Sequence, residues 1–137
     1  MATTLSARAI SVPGASTRWT ARILTGLTIL FLTFDAAIKL VGHPAVAEGS
    51  VRLGLPPALA PVFGLVLLAC VALYAIPRTA PLGAILLTGY LGGAVLVHLR
   101  VGDPLATHAL FPIYVGAAAW LGLYLRDDRV RRLIAPR

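Results

Sequence analysis

The chain has 137 residues, of which 58% are apolar and only 12% carry a charged side chain. A soluble domain carries roughly 25% charged residues, so this composition indicates a protein whose surface largely faces hydrocarbon. The net charge is +7. The arginines lie between apolar segments and near the C-terminus, which favours a role in membrane orientation and argues against a nucleic acid partner.

Residues 1–17 are polar and small, and we predict that residues 1–19 form a flexible N-terminal tail. Four apolar segments follow, each suited to a hydrocarbon core of about 30 Å at about 1.5 Å rise per residue. We predict transmembrane helices at about 20–40, 58–76, 81–99 and 109–125. Only helices satisfy their backbone groups within one segment in lipid, so the predicted fold is all-α, a transmembrane four-helix bundle.

The prolines support the same boundaries for this domain, which we place at residues 20–126. None of the ten prolines lies in 23–40, 62–76, 82–99 or 113–135. Pro81 begins a predicted helix, and the missing N–H of a proline costs nothing in a first turn. Between the first two spans, residues 44–53 are predicted to form a short helix along the membrane interface. A basic C-terminal tail occupies residues 127–137.

Basic residues are distributed unequally between the two sides of the predicted bundle. One side holds both tails and the connection between the second and third spans, with Arg8, Arg18, Arg22, Arg78, Arg126, Arg129, Arg131, Arg132 and Arg137. The other side holds Lys39, Arg52 and Arg100. Because basic loops stay on the cytoplasmic side, we predict that both termini lie in the cytoplasm.

Two helix ends share a sequence pattern. Residues 39–44 read Lys-Leu-Val-Gly-His-Pro, and residues 99–104 read Leu-Arg-Val-Gly-Asp-Pro. Duplication of a two-helix hairpin, with the two copies related by an axis along the membrane normal, would produce this repeated pattern. Chance similarity would produce it as well.

Asp35 and Lys39 are the most informative polar residues. They lie four residues apart with the acid first, the favoured order for an ion pair on one helix face. A lone aspartate near mid-membrane costs about 2.5–3.5 kcal/mol on insertion scales, so Asp35 must face the bundle interior and find a partner. Two interpretations stand equally: a buried acid at a ligand or proton site, and a structural ion pair that fixes helix packing.

His98 and Arg100 end the third predicted helix on the same side of the membrane as Asp35, and Tyr90 lies at mid-depth. His43 and His108 also lie on that side, where helix ends commonly collect polar residues. We therefore predict an intramembrane polar site made of Asp35, Lys39, Tyr90, His98 and Arg100. Such a site suits a quinone head group, a polar small molecule or a proton path.

Haem and metal are disfavoured at this site. Bis-histidine haem ligation needs two deep histidines, and only His98 is placed deep enough in the predicted bundle. The single cysteine, Cys70, excludes an internal disulfide and argues against cysteine-ligated zinc or iron–sulfur clusters. We predict no metal ligand and no certain cofactor.

Gly89, Gly92 and Gly93 form a stripe of small residues on the third helix, including the spacing Gly89-x-x-x-Gly93. Small residues let helices approach closely in membranes. The stripe therefore predicts close packing inside the bundle, with self-association as the alternative.

Several segments, taken in order, resemble the DoxX-like family of small bacterial membrane proteins. They are Phe-Asp-Ala-Ala-Ile-Lys-Leu at 34–40, Leu-Gly-Leu-Pro at 53–56, Tyr-Ala-Ile-Pro-Arg-Thr at 74–79, Gly-Tyr-Leu-Gly-Gly-Ala at 89–94 and His-Leu-Arg at 98–100. The likeness covers about residues 20–130. It implies a four-helix membrane bundle. Relatives with the DoxX name include a subunit of a thiosulfate:quinone oxidoreductase, but the resemblance identifies no catalytic residue here.

Two functions remain open from the sequence. The first is an accessory or quinone-interacting subunit of a redox system in the bacterial inner (plasma) membrane, with the lipid bilayer and oxidoreductase subunits as partners. The second is a non-enzymatic assembly or interaction protein, including a homo-oligomer. A small transporter is disfavoured because four short helices leave little room for alternating access. The connections are too short for a catalytic domain, which favours no intrinsic enzyme activity.

Overall fold

The computed structural model describes residues 13–135, and every regular element within them is helical. The α-helices are α1 (Ala15–Leu40), α2 (Pro44–Arg52), α3 (Ala60–Ala75), α4 (Ala80–Arg100), α5 (Phe111–Arg126) and α6 (Asp128–Ile134). A 3₁₀ turn at Pro57–Leu59 precedes α3, and a π-helical turn at Leu105–Ala109 precedes α5. The predicted all-α fold is confirmed.

Four stretches are long and apolar enough to cross a membrane: Ala15–Leu40, Pro57–Ala75, Ala80–Arg100 and Leu105–Arg126. Their helices pack in a ring in which α1 and α4 each contact both α3 and α5. Helices α1 and α4 therefore lie across a diagonal of the bundle. We call the end that holds α2 the α2 end, and the opposite end, which holds α6, the α6 end.

The outside of the ring is apolar along its length. Large apolar side chains are exposed on every spanning helix, among them Leu27, Leu30, Phe34, Val62, Leu65, Ile85, Leu96, Ile113 and Leu121. A soluble monomer does not expose contiguous apolar surface on this scale, whereas lipid tails cover it without cost. This surface belongs to a multi-pass membrane protein.

Three glycines allow the spanning helices to approach closely. A Cβ at Gly83 would overlap the Tyr74 backbone, where α4 crosses α3. A Cβ at Gly64 would lie 2.8 Å from the Ala36 carbonyl oxygen, and one at Gly122 would lie 2.9 Å from Thr25 Oγ1. The pairs α3–α4, α1–α3 and α1–α5 each contain one such contact.

Tyr74 connects these helices at the α6 end. Its side chain is fully buried, and its hydroxyl donates to the Ala119 carbonyl oxygen at 2.7 Å. Arg126 Nη2 donates to the Tyr74 carbonyl oxygen at 2.9 Å, and its guanidinium lies 5.0 Å from the centre of the Tyr74 ring. A single residue of α3 is thereby bound to α5 by its side chain and by its backbone.

Both terminal boundaries differ from the prediction. Helix α1 begins at Ala15, inside the predicted tail, because no helix breaker follows Gly14; residues 1–12 lie outside the described residues. At the other end, residues 128–134 form α6 instead of a tail. The Asp127 side chain accepts from the Arg129 backbone N–H and begins this helix, and Val130 is buried against the bundle. Residues 136–137 also lie outside the described residues.

The repeated sequence pattern gives two identical helix ends. Gly42 and Gly102 have φ of +67° and +74°, the left-handed region that glycine adopts readily. The His43 N–H bonds to the Ile38 carbonyl, and the Asp103 N–H bonds to the His98 carbonyl. This is the Schellman arrangement, which turns the chain sharply away from the helix.

Candidate functional site

A cavity of about 470 Å³ lies in the half of the bundle nearest the α2 end. Its wall comes mainly from α1, α4 and the start of α5. Four of the five predicted site residues line it, namely Asp35, Lys39, Tyr90 and His98. Ligand sites of this size range are typically apolar clefts with a few polar groups that fix orientation.

The apolar part of the wall is aromatic as well as aliphatic. Phe31 of α1 and Phe111 of α5 meet edge to face, with ring centres 5.6 Å apart. Phe63 of α3, Val97 and Val115 also line the cavity. The three phenylalanine rings present flat, polarisable surfaces to an occupant.

Asp35 and Lys39 form an ion pair on the α1 side of the cavity. Their side chains are 31% and 20% exposed, respectively, so neither is sealed in the protein interior. The Lys39 ammonium reaches back to the carboxylate one turn earlier and does not extend towards the end of the bundle. The pair therefore presents two opposite charges to the same space.

His98 is held by a carboxylate that the sequence did not single out. Its Nδ1 lies 2.5 Å from Asp103 Oδ2, and Arg52 Nη1 donates to Asp103 Oδ1 at 2.5 Å. The hydrogen bond with His98, and then that from Arg52, lower the pKa of Asp103. An ionised Asp103 accepts a hydrogen bond from Nδ1–H, which leaves Nε2 as the free ring nitrogen of His98.

Arg100 does not line the cavity. Its Nη2 donates to the Leu53 carbonyl oxygen, in the connection that follows α2. Leu53 and Leu55 are themselves cavity-lining residues. Arg100 and the Arg52–Asp103 pair therefore hold the α2–α3 connection in place at the α2 end of the cavity.

Tyr90 supplies a polar group from α4. It is half-buried and lines the cavity. Among residues 13–135, its hydroxyl makes no hydrogen bond. Asp35, on the same cavity wall, therefore does not bind it, and the hydroxyl is free to bind an occupant.

The glycine stripe of α4 does not pack against another helix of the described chain. A Cβ at Gly89, Gly92 or Gly93 would meet no atom within 4 Å. Gly89 and Gly93 line the cavity, whereas Gly92 does not. The close approaches occur instead at Gly64, Gly83 and Gly122, and self-association through the stripe stays a prediction.

The other histidines lie outside the cavity wall. His43 Nδ1 accepts from the Ala45 backbone N–H at 3.2 Å and begins α2. His108 lies 6.3 Å from His98 between ring centres and contacts the Thr107 hydroxyl at 2.8 Å. Within residues 13–135, no three His, Cys, Asp or Glu side chains come together as a metal-binding group.

Sequence reasoning missed Asp103, Arg52 and the aromatic wall. Asp103 could have been found, because it follows His98 by five residues across a Gly-containing helix end. The Schellman turn brings position 103 back beside position 98. No local sequence pattern pointed to Arg52, since it lies on α2 and His98 lies on α4.

Four helices with apolar outer surfaces, packed around a partly open cavity, define a multi-pass integral membrane protein. The chain belongs to the DoxX-like family, whose family model matches residues 23–122. That range contains every residue of the cavity wall and confirms the resemblance read from the sequence. No curated protein and no solved structure matches the chain.

Proposed function

We propose that this protein binds a quinone or quinol head group in the α2-end cavity, as an accessory subunit of a membrane redox system. The observation that carries the proposal is the joint placement of Asp35, Lys39, Tyr90 and His98 on an otherwise apolar cavity of about 470 Å³. A quinone ring is flat and apolar, with a carbonyl oxygen at each end. Aromatic and aliphatic walls suit the ring, and a few hydrogen-bonding groups suit the oxygens.

The polar groups match both oxidation levels of such a ligand. The Tyr90 hydroxyl and the Lys39 ammonium can donate to carbonyl oxygens. The Asp35 carboxylate accepts from the hydroxyls of the reduced form. His98 Nε2 accepts when the ring is neutral and donates when it is protonated, and Asp103 fixes the orientation of the ring through Nδ1.

In this proposal a partner protein, and not this chain, carries out electron transfer. Reduction of a quinone takes two electrons and two protons, and the cofactor of a redox partner supplies the electrons. The contribution of this chain is to bind and orient the ring and to exchange protons at His98 Nε2. His98 is the member of the cavity wall that contacts Asp103, and Asp103 contacts Arg52, which is half exposed at the α2 end.

A matched pair of glycine variants tests ligand binding. The purified protein, in lipid nanodiscs, is titrated with decylubiquinone, and binding is followed by quenching of tryptophan fluorescence. Gly93→Leu fills the cavity and is expected to weaken binding about tenfold or more. Gly92→Leu adds the same side chain at a neighbouring position that does not line the cavity. Equal effects of the two substitutions would refute the cavity as the binding site.

Asp35→Asn separates a functional from a structural role for the ion pair. We expect quinone affinity to fall while the amount of protein in the membrane stays unchanged. A parallel loss of protein and binding would reduce Asp35 to a folding role.

A second candidate, a non-enzymatic assembly protein, is favoured by the open surface at Gly92. A Cβ there meets no atom within 4 Å, which leaves room for a partner helix. Purification in mild detergent distinguishes the two functions. A stoichiometric protein partner that is lost in Gly92→Leu, without any bound small molecule, would support assembly.

A further inference from the structure

A second cavity lies at the α6 end, between the first turns of α1 and the junction of α5 with α6. Its volume is about 470 Å³, and it shares no lining residue with the α2-end cavity. Four arginines line it: Arg18, Arg22, Arg126 and Arg131. We call it the arginine cavity.

The acidic side chains of residues 13–135 do not balance the positive charge of the arginine cavity. Asp128 is the one acidic residue in the described wall, and it pairs with Arg131. The neighbouring Asp127 pairs with Arg129. The sequence has five acidic residues, and the other three are Asp35, Glu48 and Asp103, which lie in the half nearest the α2 end. No acidic side chain is therefore available to Arg18, Arg22 or Arg126.

The wall also contains a guanidinium whose hydrogen-bonding capacity is only partly used. Among the described residues, Arg126 Nε is buried and makes no hydrogen bond, although Arg126 Nη2 donates to the Tyr74 carbonyl oxygen. Buried polar groups are almost always hydrogen-bonded, so an incompletely satisfied arginine at a basic cavity is consistent with an anionic occupant.

The rest of the surroundings is apolar. Ala21, Gly26 and Leu125 line the cavity beside the arginines. Ile23 and Leu27 of α1 are exposed along the same helix, towards the middle of the membrane. An occupant with a charged head and apolar chains would match this change from polar to apolar surface.

We propose that the arginine cavity binds the phosphate head group of an anionic phospholipid. Guanidinium groups bind phosphate oxygens in a bidentate manner, and several arginines at one end of a helix bundle form a basic site at headgroup depth. The apolar surface of α1 holds the acyl chains, which a free phosphate ion lacks. This site is independent of the quinone proposal, because the two cavities use different residues and opposite ends of the bundle.

Native mass spectrometry of the detergent-solubilised full chain tests the proposal. Phosphatidylglycerol is compared with phosphatidylcholine of the same acyl chains, and we expect about tenfold tighter binding of the anionic lipid. The double variant Arg18→Gln/Arg22→Gln should lose about tenfold in affinity for phosphatidylglycerol. The control is Arg78→Gln/Arg132→Gln, which removes the same charge at the same end from exposed residues outside the cavity. It should change affinity less than about twofold.

A second variant keeps the charge and changes only the space. A Cβ at Gly26 meets no atom within 4 Å, so Gly26→Leu should fold normally while it occupies part of the cavity. It should also weaken phosphatidylglycerol binding, with an unchanged melting temperature.

Three results would overturn the proposal. Equal losses in the two double variants would indicate diffuse attraction to the whole α6 end. Equal binding of the two lipids would exclude recognition of an anionic head group. Glycerol 3-phosphate binding as tightly as the lipid would make a soluble phosphate the occupant.

Discussion

Asp103 organises the polar groups at the α2 end although it lies between two spanning helices. Its side chain is 8% exposed and accepts from both His98 and Arg52. It therefore joins α4 to α2 and orients the histidine that lines the cavity. A carboxylate with two charge-assisted hydrogen bonds contributes to stability only while it is ionised.

The lowered pKa of Asp103 predicts an acid-sensitive connection. Because the pKa is lower in the folded than in the unfolded state, the stabilisation is present above about pH 4 and is lost as the pH falls below that value. Asp103→Asn should lower the melting temperature at neutral pH, and the difference from the parent should shrink below about pH 4. The difference in melting temperature between the two detergent-solubilised proteins is measured from neutral pH to below about pH 4.

Glu48→Gln provides the control for this titration. Glu48 is exposed on α2 and forms no ion pair among the described residues, so the substitution should leave the melting temperature unchanged. Asp127, whose pKa Arg129 lowers in the same way, titrates in both proteins and cancels from the comparison. A constant difference between Asp103→Asn and the parent at every pH would contradict the assignment.

Lys39 neutralises Asp35, and its removal isolates the cost of the acid. Lys39→Met leaves the carboxylate alone in the membrane, at a cost of about 2 kcal/mol, discounted for the partial exposure of the pair. The double change Asp35→Asn/Lys39→Met should recover most of this loss. Unfolding in denaturing detergent measures both variants. A double variant as unstable as Lys39→Met would mean that packing of the lysine stem, not charge, holds α1.

At the scale of helices, one glycine is required and another is not. Gly83→Ala forces α4 away from the Tyr74 backbone and should cost about 1–3 kcal/mol. Gly92→Ala meets no atom of the chain and gains helix propensity, so it should be neutral or slightly stabilising. Thermal unfolding of the two variants in one detergent gives the comparison. Similar melting temperatures would contradict the close α3–α4 crossing.

The helices were predictable from sequence because hydropathy and proline placement are local properties. Which glycines form contacts was not, because that depends on the direction in which α4 faces its neighbours. Gly83 and Gly92 are both glycines of one apolar helix, yet only Gly83 faces α3. The start of α6 was missed for a different reason: the aspartate that caps it reads as part of a charged tail.

The candidate site was predictable only in part. Topology brought Asp35, Lys39, Tyr90 and His98 to one half of the bundle, and the structure places all four on one cavity. Arg100 shares that end but turns to the Leu53 carbonyl, since its position on the last turn of α4 faces the α2–α3 connection. Helix ends allow several directions for a long side chain, and sequence spacing does not choose among them.

At the scale of the molecule, the ring of helices has the order that a repeated hairpin would give. Helices α1 and α4 are followed by the same Val-Gly-x-Pro sequence and lie diagonally opposite, as a two-fold axis along the membrane normal requires. The polar residues do not follow this symmetry. His98 of α4 occupies the place of Ile38 in α1, so the cavity chemistry differs between the two halves.

The charge difference between the two ends predicts the orientation of the whole protein. Seven described arginines lie at the α6 end: Arg18, Arg22, Arg78, Arg126, Arg129, Arg131 and Arg132. The α2 end has Lys39, Arg52 and Arg100, and each makes a polar contact with Asp35, Asp103 or the Leu53 carbonyl. Because basic residues are retained on the cytoplasmic side, the α6 end should face the cytoplasm and the α2 end the opposite compartment.

Cysteine labelling in intact cells measures this orientation. In a Cys70→Ser background, Glu48→Cys at the α2 end should react with a membrane-impermeant maleimide, since Glu48 is exposed. Ala135→Cys, just beyond α6, should react only after the membrane is permeabilised. If only Ala135→Cys were labelled in intact cells, the orientation would be the reverse of the predicted one. The quinone cavity would then face the cytoplasm, and the proton exchange proposed for His98 would take place on that side.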